Sequence, residues 1–197
     1  MMKKYHIILA SNSPRRRDLL AGLDIPFEVR VLPDIEENYP KGLSVNEIPE
    51  YIAAEKADAY RAQMADDELI ITADTVVILG QEALGKPTDA DDACRMLRML
   101  SGRTHQVTTG VCLTTKEQQK HFSVTTNVTF GTLTEEEIHH YVTKYKPFDK
   151  AGAYGIQEWI GYIGVTGLEG SYYNVMGLPI QRIYTELKAF DCKTTEE

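Results

Sequence analysis

Ile7-Ile8-Leu9-Ala10-Ser11-Asn12-Ser13-Pro14-Arg15-Arg16-Arg17 is the stretch around which the rest of the chain is arranged. Its apolar start reads as a buried strand. Ser13 is a good N-cap, and Pro14 suits the first helical position, where its missing N–H would be unsatisfied anyway. Asp18, Leu19, Leu20 and Leu23 continue a short helix with an apolar side. A strand therefore ends, small hydroxyl residues turn the chain, and a helix opens with three arginines in its first turn. That placement carries a cost: a helix N-terminus holds roughly half a positive charge and disfavours nearby cations by up to about 1 kcal/mol each. An anion sharing the site removes the cost, because free N–H groups, the dipole and guanidinium forks all favour phosphate. Either the arginines are solvated or they meet an anion.

A chain of 197 residues is long enough for a proper core and short enough for a single domain, 1–197, with two lobes at most. Apolar content of 43% places it among ordinary globular chains. The net charge of -8 argues against a protein that coats nucleic acid, and a local basic cluster in so acidic a chain suggests a small anionic ligand. The three cysteines, Cys94, Cys112 and Cys192, show no CxxC or Cys/His spacing, so structural zinc is not expected and a reducing cytoplasm is the default. No apolar run is long enough to span a bilayer, and Met1 to His6 has charge but no signal-like apolar region.

Further along, Phe27 to Val31 alternates like a strand, and Leu32 to Asn38 is an acidic loop started by Pro33. Its Glu36-Glu37 is either a solvated turn or a carboxylate aimed into a cleft. Asn46 to Met64 reads as a helix with Asn46 as cap and Pro49 in the first turn. Lys56 falls on its apolar stripe with Ile52, Ala53, Ala57 and Tyr60, where a lysine either snorkels to water or delivers a fixed charge to a phosphate. Leu69 to Gly80 is a continuous apolar run broken by Asp74-Thr75. A carboxylate inside such a run must be neutralised, paired or metal-bound; it either caps local N–H groups or serves as ligand or general base. Leu84-Gly85-Lys86-Pro87 holds a lysine extended before proline.

Asp89 starts a helix with Ala93, Met96, Leu97 and Leu100 on one face, ended by Gly102. Arg103–Thr115 and Gln119–Thr132 read as an antiparallel hairpin. Thr134 to Glu137 is a capping box for a helix through Tyr145, on which adjacent His139 and His140 diverge by about 100° and belong to the surface. Lys150 to Gly177 is dense in glycine without a GxGxxG or P-loop pattern, which suits tight turns and close backbone approach to a ligand. Tyr162 to Val165 reads as a short strand, and after Gly177-Leu178-Pro179 comes a helix with Ile180, Ile183, Tyr184, Leu187 and Phe190 on one side. The polar tail from Cys192 is expected to fray.

Taken together, Leu9 to Arg16, Glu36-Glu37, Glu55-Lys56-Ala57, Ala73 to Val77, Leu84 to Pro87, Met96 to Thr104, Asp149 to Gln157, and Gly170 to Asn174 followed by Gly177-Leu178-Pro179 resemble the Maf family of nucleoside triphosphate pyrophosphatases. Each motif alone is weak; their order and spacing are specific. The resemblance implies an elongated α/β fold of the inosine-triphosphatase-like kind, a mixed sheet with flanking helices and two lobes around a cleft. It implies cleavage between the α- and β-phosphates with a divalent cation, Mg²⁺ or Mn²⁺. Arg15, Thr75 and Gln157 match the branch that takes dTTP and UTP, whereas the sister branch directed at 7-methyl-GTP has Gln and Glu at the last two positions. A homodimer is implied by family habit.

The chemistry of the residues agrees. Glu37 and Asp74 are oxygen ligands suited to the metal, and Asp74 can take a proton from the attacking water. Lys56, Lys86 and Arg16 would hold phosphate oxygens, and Ser11 and the helix N–H groups would add hydrogen bonds; the family resemblance implies that Arg15, Thr75 and Gln157 sit near base or sugar. Two other classes compete: a nucleotide-sensing inhibitor of septum formation that binds without turnover, and an RNA-binding module. The acidic balance and the lack of interleaved basic and aromatic residues count against the second.

Overall fold

The computed structural model describes residues 5–33, 35 and 37–192, the last two by backbone alone. Glu36, the first four residues, the tail from 193 and the Cys192 side chain lie outside that description. Strand β1 (His6–Leu9) leads through Ser13, which caps the first helix, into α1 (Pro14–Ala21) and back to β2 (Phe27–Val29), parallel to β1. Next come α2 (Ile48–Arg61), the long β3 (Glu68–Leu79), β4 (Glu82–Leu84) and α3 (Ala90–Leu100). The hairpin β5 (Thr104–Thr114) and β6 (Gln119–Phe130) follows, then α4 (Glu135–Tyr145), α5 (Trp159–Gly164), β7 (Val165–Glu169), α6 (Tyr172–Val175) and α7 (Ile180–Cys192).

The strands form one mixed sheet in the order β2-β1-β3-β5-β6-β7, with β4 added to β3. The β1–β2 and β1–β3 pairs are parallel, the others antiparallel. The α/β fold class and mixed sheet are those expected. Two apolar clusters lie along the sheet: Leu9, Leu20, Ile71, Val111, Ile183 and Leu187 build one with α1 and α7. Leu97, Leu100, Val107, Phe130, Tyr141 and Ile160 build the other with α3 and α4. Strands β3 and β5 contribute to both, while α2 covers the opposite face through Ile52, Ala53, Ala57 and Tyr60.

Several expected boundaries move, each for a local reason. Asn46 does not cap α2; it lies in a turn closed by Glu47 N–H on Ser44 O at 2.9 Å, so the helix opens at Ile48. β2 stops at Val29 because its neighbour β1 stops at Leu9. Tyr162 to Gly164 is helical, not strand: Gly161 approaches Ile156 O so closely that a Cβ would sit 1.8 Å from it, and the strand begins only at Val165. Tyr184 faces outward, unlike Ile180, Ile183, Leu187 and Phe190. Leu23 lies just beyond α1 yet still packs on the first cluster. The capping box at Thr134 forms with both bonds, and His139 and His140 are exposed, as expected.

Candidate active site

The cleft arises where β3 outruns its neighbour. One edge of β3 pairs with β5 from Ile70 to Ile78. The other edge pairs with β1 only through Ile71 and with β4 only from Val77. Between them, Thr72 to Val76 has no strand partner on that edge among the described residues. Unpaired backbone there must find other partners. The first loop and helix supply them: Arg16 Nη1 donates to Ala73 O at 2.9 Å.

The period of two along a strand sends Asp74 and Thr75 to opposite faces. Asp74 faces α2. There Lys56 Nζ lies 3.1 Å from Asp74 Oδ1 and 2.8 Å from Glu37 Oε1, with the lysine side chain only 15% exposed. Lys56 therefore neither snorkels freely nor stands alone; it joins the two carboxylates. Helix α2 reaches this depth because Gly110 is the β5 partner of Asp74. A Cβ on Gly110 would lie 2.2 Å from Pro49 C and Glu50 N. Burial alone would raise the Glu37 carboxyl; the Lys56 hydrogen bond and the charges of Lys56, Lys86 and Arg16 hold it below its ordinary value instead.

Thr75 faces the other way. Arg16 Nη2 donates to its Oγ1 at 3.0 Å, and Arg16 Nε donates to Gly177 O at 2.7 Å. Three of the five guanidinium N–H donors are thus committed to the protein. Burial lowers the Arg16 pKa, with Asp74 opposing. Arg15 Nη1 donates to Asp149 Oδ2 at 2.8 Å, and Arg17 is exposed. The three arginines so have three different fates. Ser11 Oγ accepts from Ser13 N–H at 3.2 Å, which leaves its own proton to offer to an anion. Lys86 is exposed on a loop held by Gly152 N–H on Gly85 O at 3.0 Å. Gly152 has φ +66° and packs on Val77, where a Cβ would meet Cγ2 at 2.7 Å.

One cavity of about 880 Å³ is lined by Ser11, Arg15, Arg16, Glu37, Lys56, Asp74, Thr75, Lys86 and Gln157. All nine residues singled out in the sequence reach it, from six separate segments. Gln157 Oε1 is buried there with no hydrogen-bond partner among the described residues, so a donor from a ligand would satisfy it. The paired carboxylates of Glu37 and Asp74 are hard oxygen donors that fit Mg²⁺ or Mn²⁺, which keep water and phosphate oxygens as further ligands. No group of three or more His, Cys, Asp or Glu side chains is arranged for a metal among the described residues.

Sequence reasoning gave no role to Asp149 and Lys150, which also line the cleft. Lys150 is almost fully buried, with Nζ 2.8 Å from Asp149 Oδ1 and 3.2 Å from Glu158 Oε1. Burial would raise Asp149, but its hydrogen bonds from Lys150 and Arg15 pull it down to about 2. Glu158 accepts from Tyr141 OH, and Tyr141 OH accepts from Gly155 N–H at 3.0 Å. The turn bearing Gln157 is thereby tied to Arg15. An Asp-Lys pair beside a glycine-rich run was the available signal.

The Maf-like protein family's sequence profile matches residues 6–190. A dTTP/UTP pyrophosphatase of Phocaeicola vulgatus is 64% identical over 95% of this chain and 97% of its own length. A dTTP/UTP pyrophosphatase of Bacteroides thetaiotaomicron is 61% identical over the same shares. A HAM1 protein structure from Coxiella burnetii is 13% identical, with TM-score 0.48 over 94% of this chain and 99% of that one. With its motifs gathered in one cleft and its profile matched over nearly its whole length, the chain belongs to the Maf-like protein family.

Proposed function

We propose that this single-domain protein is a nucleoside triphosphate pyrophosphatase. It hydrolyses dTTP and UTP, and modified pyrimidine triphosphates, to the monophosphate and pyrophosphate, in nucleotide-pool housecleaning. The observation that carries this is the gathering of Arg16, Lys56, Lys86, Glu37 and Asp74 around one cavity. The names of the relatives at 64% and 61% identity support the same substrates.

Cutting a triphosphate at its α-phosphorus needs neutralised charge, a positioned water and a stabilised leaving group. Lys56, Lys86 and Arg16 hold phosphate oxygens, and the Ser11 hydroxyl donates to one. Asp74 takes the proton of the attacking water, while Lys56 keeps its carboxylate oriented. Glu37 and Asp74 would hold a divalent cation, whose charge offsets that of the triphosphate. Arg15, Thr75 and Gln157 face base and sugar. The free, buried thiols of Cys94 and Cys112 support work in the reducing cytoplasm. Tyr162, Leu168, Tyr172 and Tyr173, exposed around the edge strand β7, support the homodimer.

The deciding experiment is a panel of nucleoside triphosphates assayed for pyrophosphate with Mg²⁺ and with Mn²⁺. Release from dTTP and UTP is expected ahead of all others. Tight binding without release would favour a nucleotide sensor, and preference for 7-methyl-GTP would move the chain to the sister branch.

A further inference from the structure

The Thr75 hydroxyl continues into a buried chain of hydrogen bonds. Thr75 Oγ1 lies 2.9 Å from Thr109 Oγ1, its direct partner across the β3–β5 ladder. Thr109 Oγ1 lies 3.2 Å from the main-chain O of Asn174. Thr109 and Asn174 are both fully buried. Asn174 is itself fixed, its Nδ2 donating to Val107 O and to Thr126 Oγ1, each at 3.0 Å.

The direction of every proton in this chain follows from its ends. A main-chain carbonyl can only accept, so Thr109 donates to Asn174 O. Thr109 Oγ1 then accepts, so the Thr75 proton goes to Thr109. Arg16 can only donate, and it donates to Thr75 Oγ1 at 3.0 Å. The Thr75 oxygen therefore has no proton to offer the cleft and keeps only acceptor capacity. Were Thr109 absent, nothing in this chain would draw the Thr75 proton inward.

We propose that Thr109 is a positioning residue that fixes the polarity of Thr75, making it an acceptor that selects pyrimidines bearing an N3–H. Thymine and uracil carry that proton; cytosine presents a bare nitrogen there. This role rests on the cleft being the pyrophosphatase site proposed above. The same relay steadies Arg16, whose guanidinium is held by Thr75 on one side and by Gly177 O, three residues beyond Asn174, on the other.

The test compares kcat/KM for dTTP and dCTP in wild-type protein and in Thr109→Val, Thr109→Ala and Thr109→Ser. Circular dichroism melts identify the variants that fold. Valine keeps the shape and removes the hydroxyl, so the dTTP:dCTP ratio falls by about tenfold, the scale on which an unpaired polar group costs discrimination. Alanine, which adds no atom, reads the same ratio if valine does not fold. Serine keeps the hydroxyl and restores the ratio. A merely structural role would lower both substrates together and leave the ratio unmoved. Hydroxyl-free variants that fold and keep the wild-type ratio would overturn the proposal while leaving the pyrophosphatase function intact. A wild-type protein that cleaves neither nucleotide would overturn both.

Discussion

Asp74 shows most plainly how much the sequence setting of a single residue reveals. A carboxylate amid Leu69 to Leu79 has to be compensated, and Lys56 compensates it at 3.1 Å. Substituting Asp74→Asn keeps the volume and removes the carboxylate proposed as the base. Turnover is expected to fall a hundredfold or more, about 3 kcal/mol of barrier, with the melting temperature little changed; steady-state pyrophosphate release measures it, and near-normal kcat would remove Asp74 from the chemistry. His105 is not legible in the same way. It is buried, its Nε2 is 2.7 Å from Tyr154 OH, and burial lowers its pKa from 6.5 to about 4. Between those values the unfolded chain binds the proton and the folded one does not, so stability falls as pH falls. The loss between pH 7 and pH 5 is about 2 kcal/mol. Thermal melts at the two values should show a steep drop for the wild type and a shallower one for His105→Gln. A lone histidine on a β-strand gives no hint of this, since its burial depends on Phe130 and Tyr154, which arrive from other parts of the chain.

At the scale of elements, local rules hold where their signals are strong. Ser13 caps α1, Asp89 caps α3, and the Thr134 box opens α4, because these signals are complete within four residues. Tyr162 to Gly164 departs from its strand-like pattern because its geometry is set by Gly161 closing on Ile156, which periodicity does not register. The nine candidate residues can be picked from the order of motifs, but their approach depends on a glycine that carries no chemistry. Gly110→Ala would place a methyl 2.2 Å from the backbone of Pro49 and Glu50. Backbone cannot swing aside as a side-chain tip can, so α2 must lift from the sheet and take Lys56 away from Asp74. Overpacking of this kind costs about 1–3 kcal/mol or more. The expected outcome is a lowered melting temperature together with a loss of turnover beyond what the unfolded fraction explains. An alanine variant with wild-type stability and kcat would show that α2 is not seated on Gly110.

Across the whole molecule, the cleft lies between two apolar cores that share the long strands of one sheet. Ser11 and Arg16 sit on the side of α1 and α7. Lys86 and Gln157 sit on loops attached to the core of α3 and α4, through Gly152 and through Tyr141. Composition and periodicity could not show this, because the joining contacts, such as Arg15 with Asp149, span 134 residues. A triphosphate gripped from both sides would couple the two cores. A dUTP analogue with a methylene bridge between its α- and β-phosphates, present with Mg²⁺ at a hundredfold above its dissociation constant, should add about 2.7 kcal/mol to stability. For a chain of this size that is a rise in melting temperature of about 5–10 °C. Hydrogen exchange then separates a bridging ligand from one held on a single side. Bridging slows exchange both in the loop from Ala10 to Arg16 and in the segments Gly85 to Lys86 and Gly155 to Gln157. Protection confined to the first loop would mean that the triphosphate sits on the helix terminus alone, with Lys86 and Gln157 outside the site.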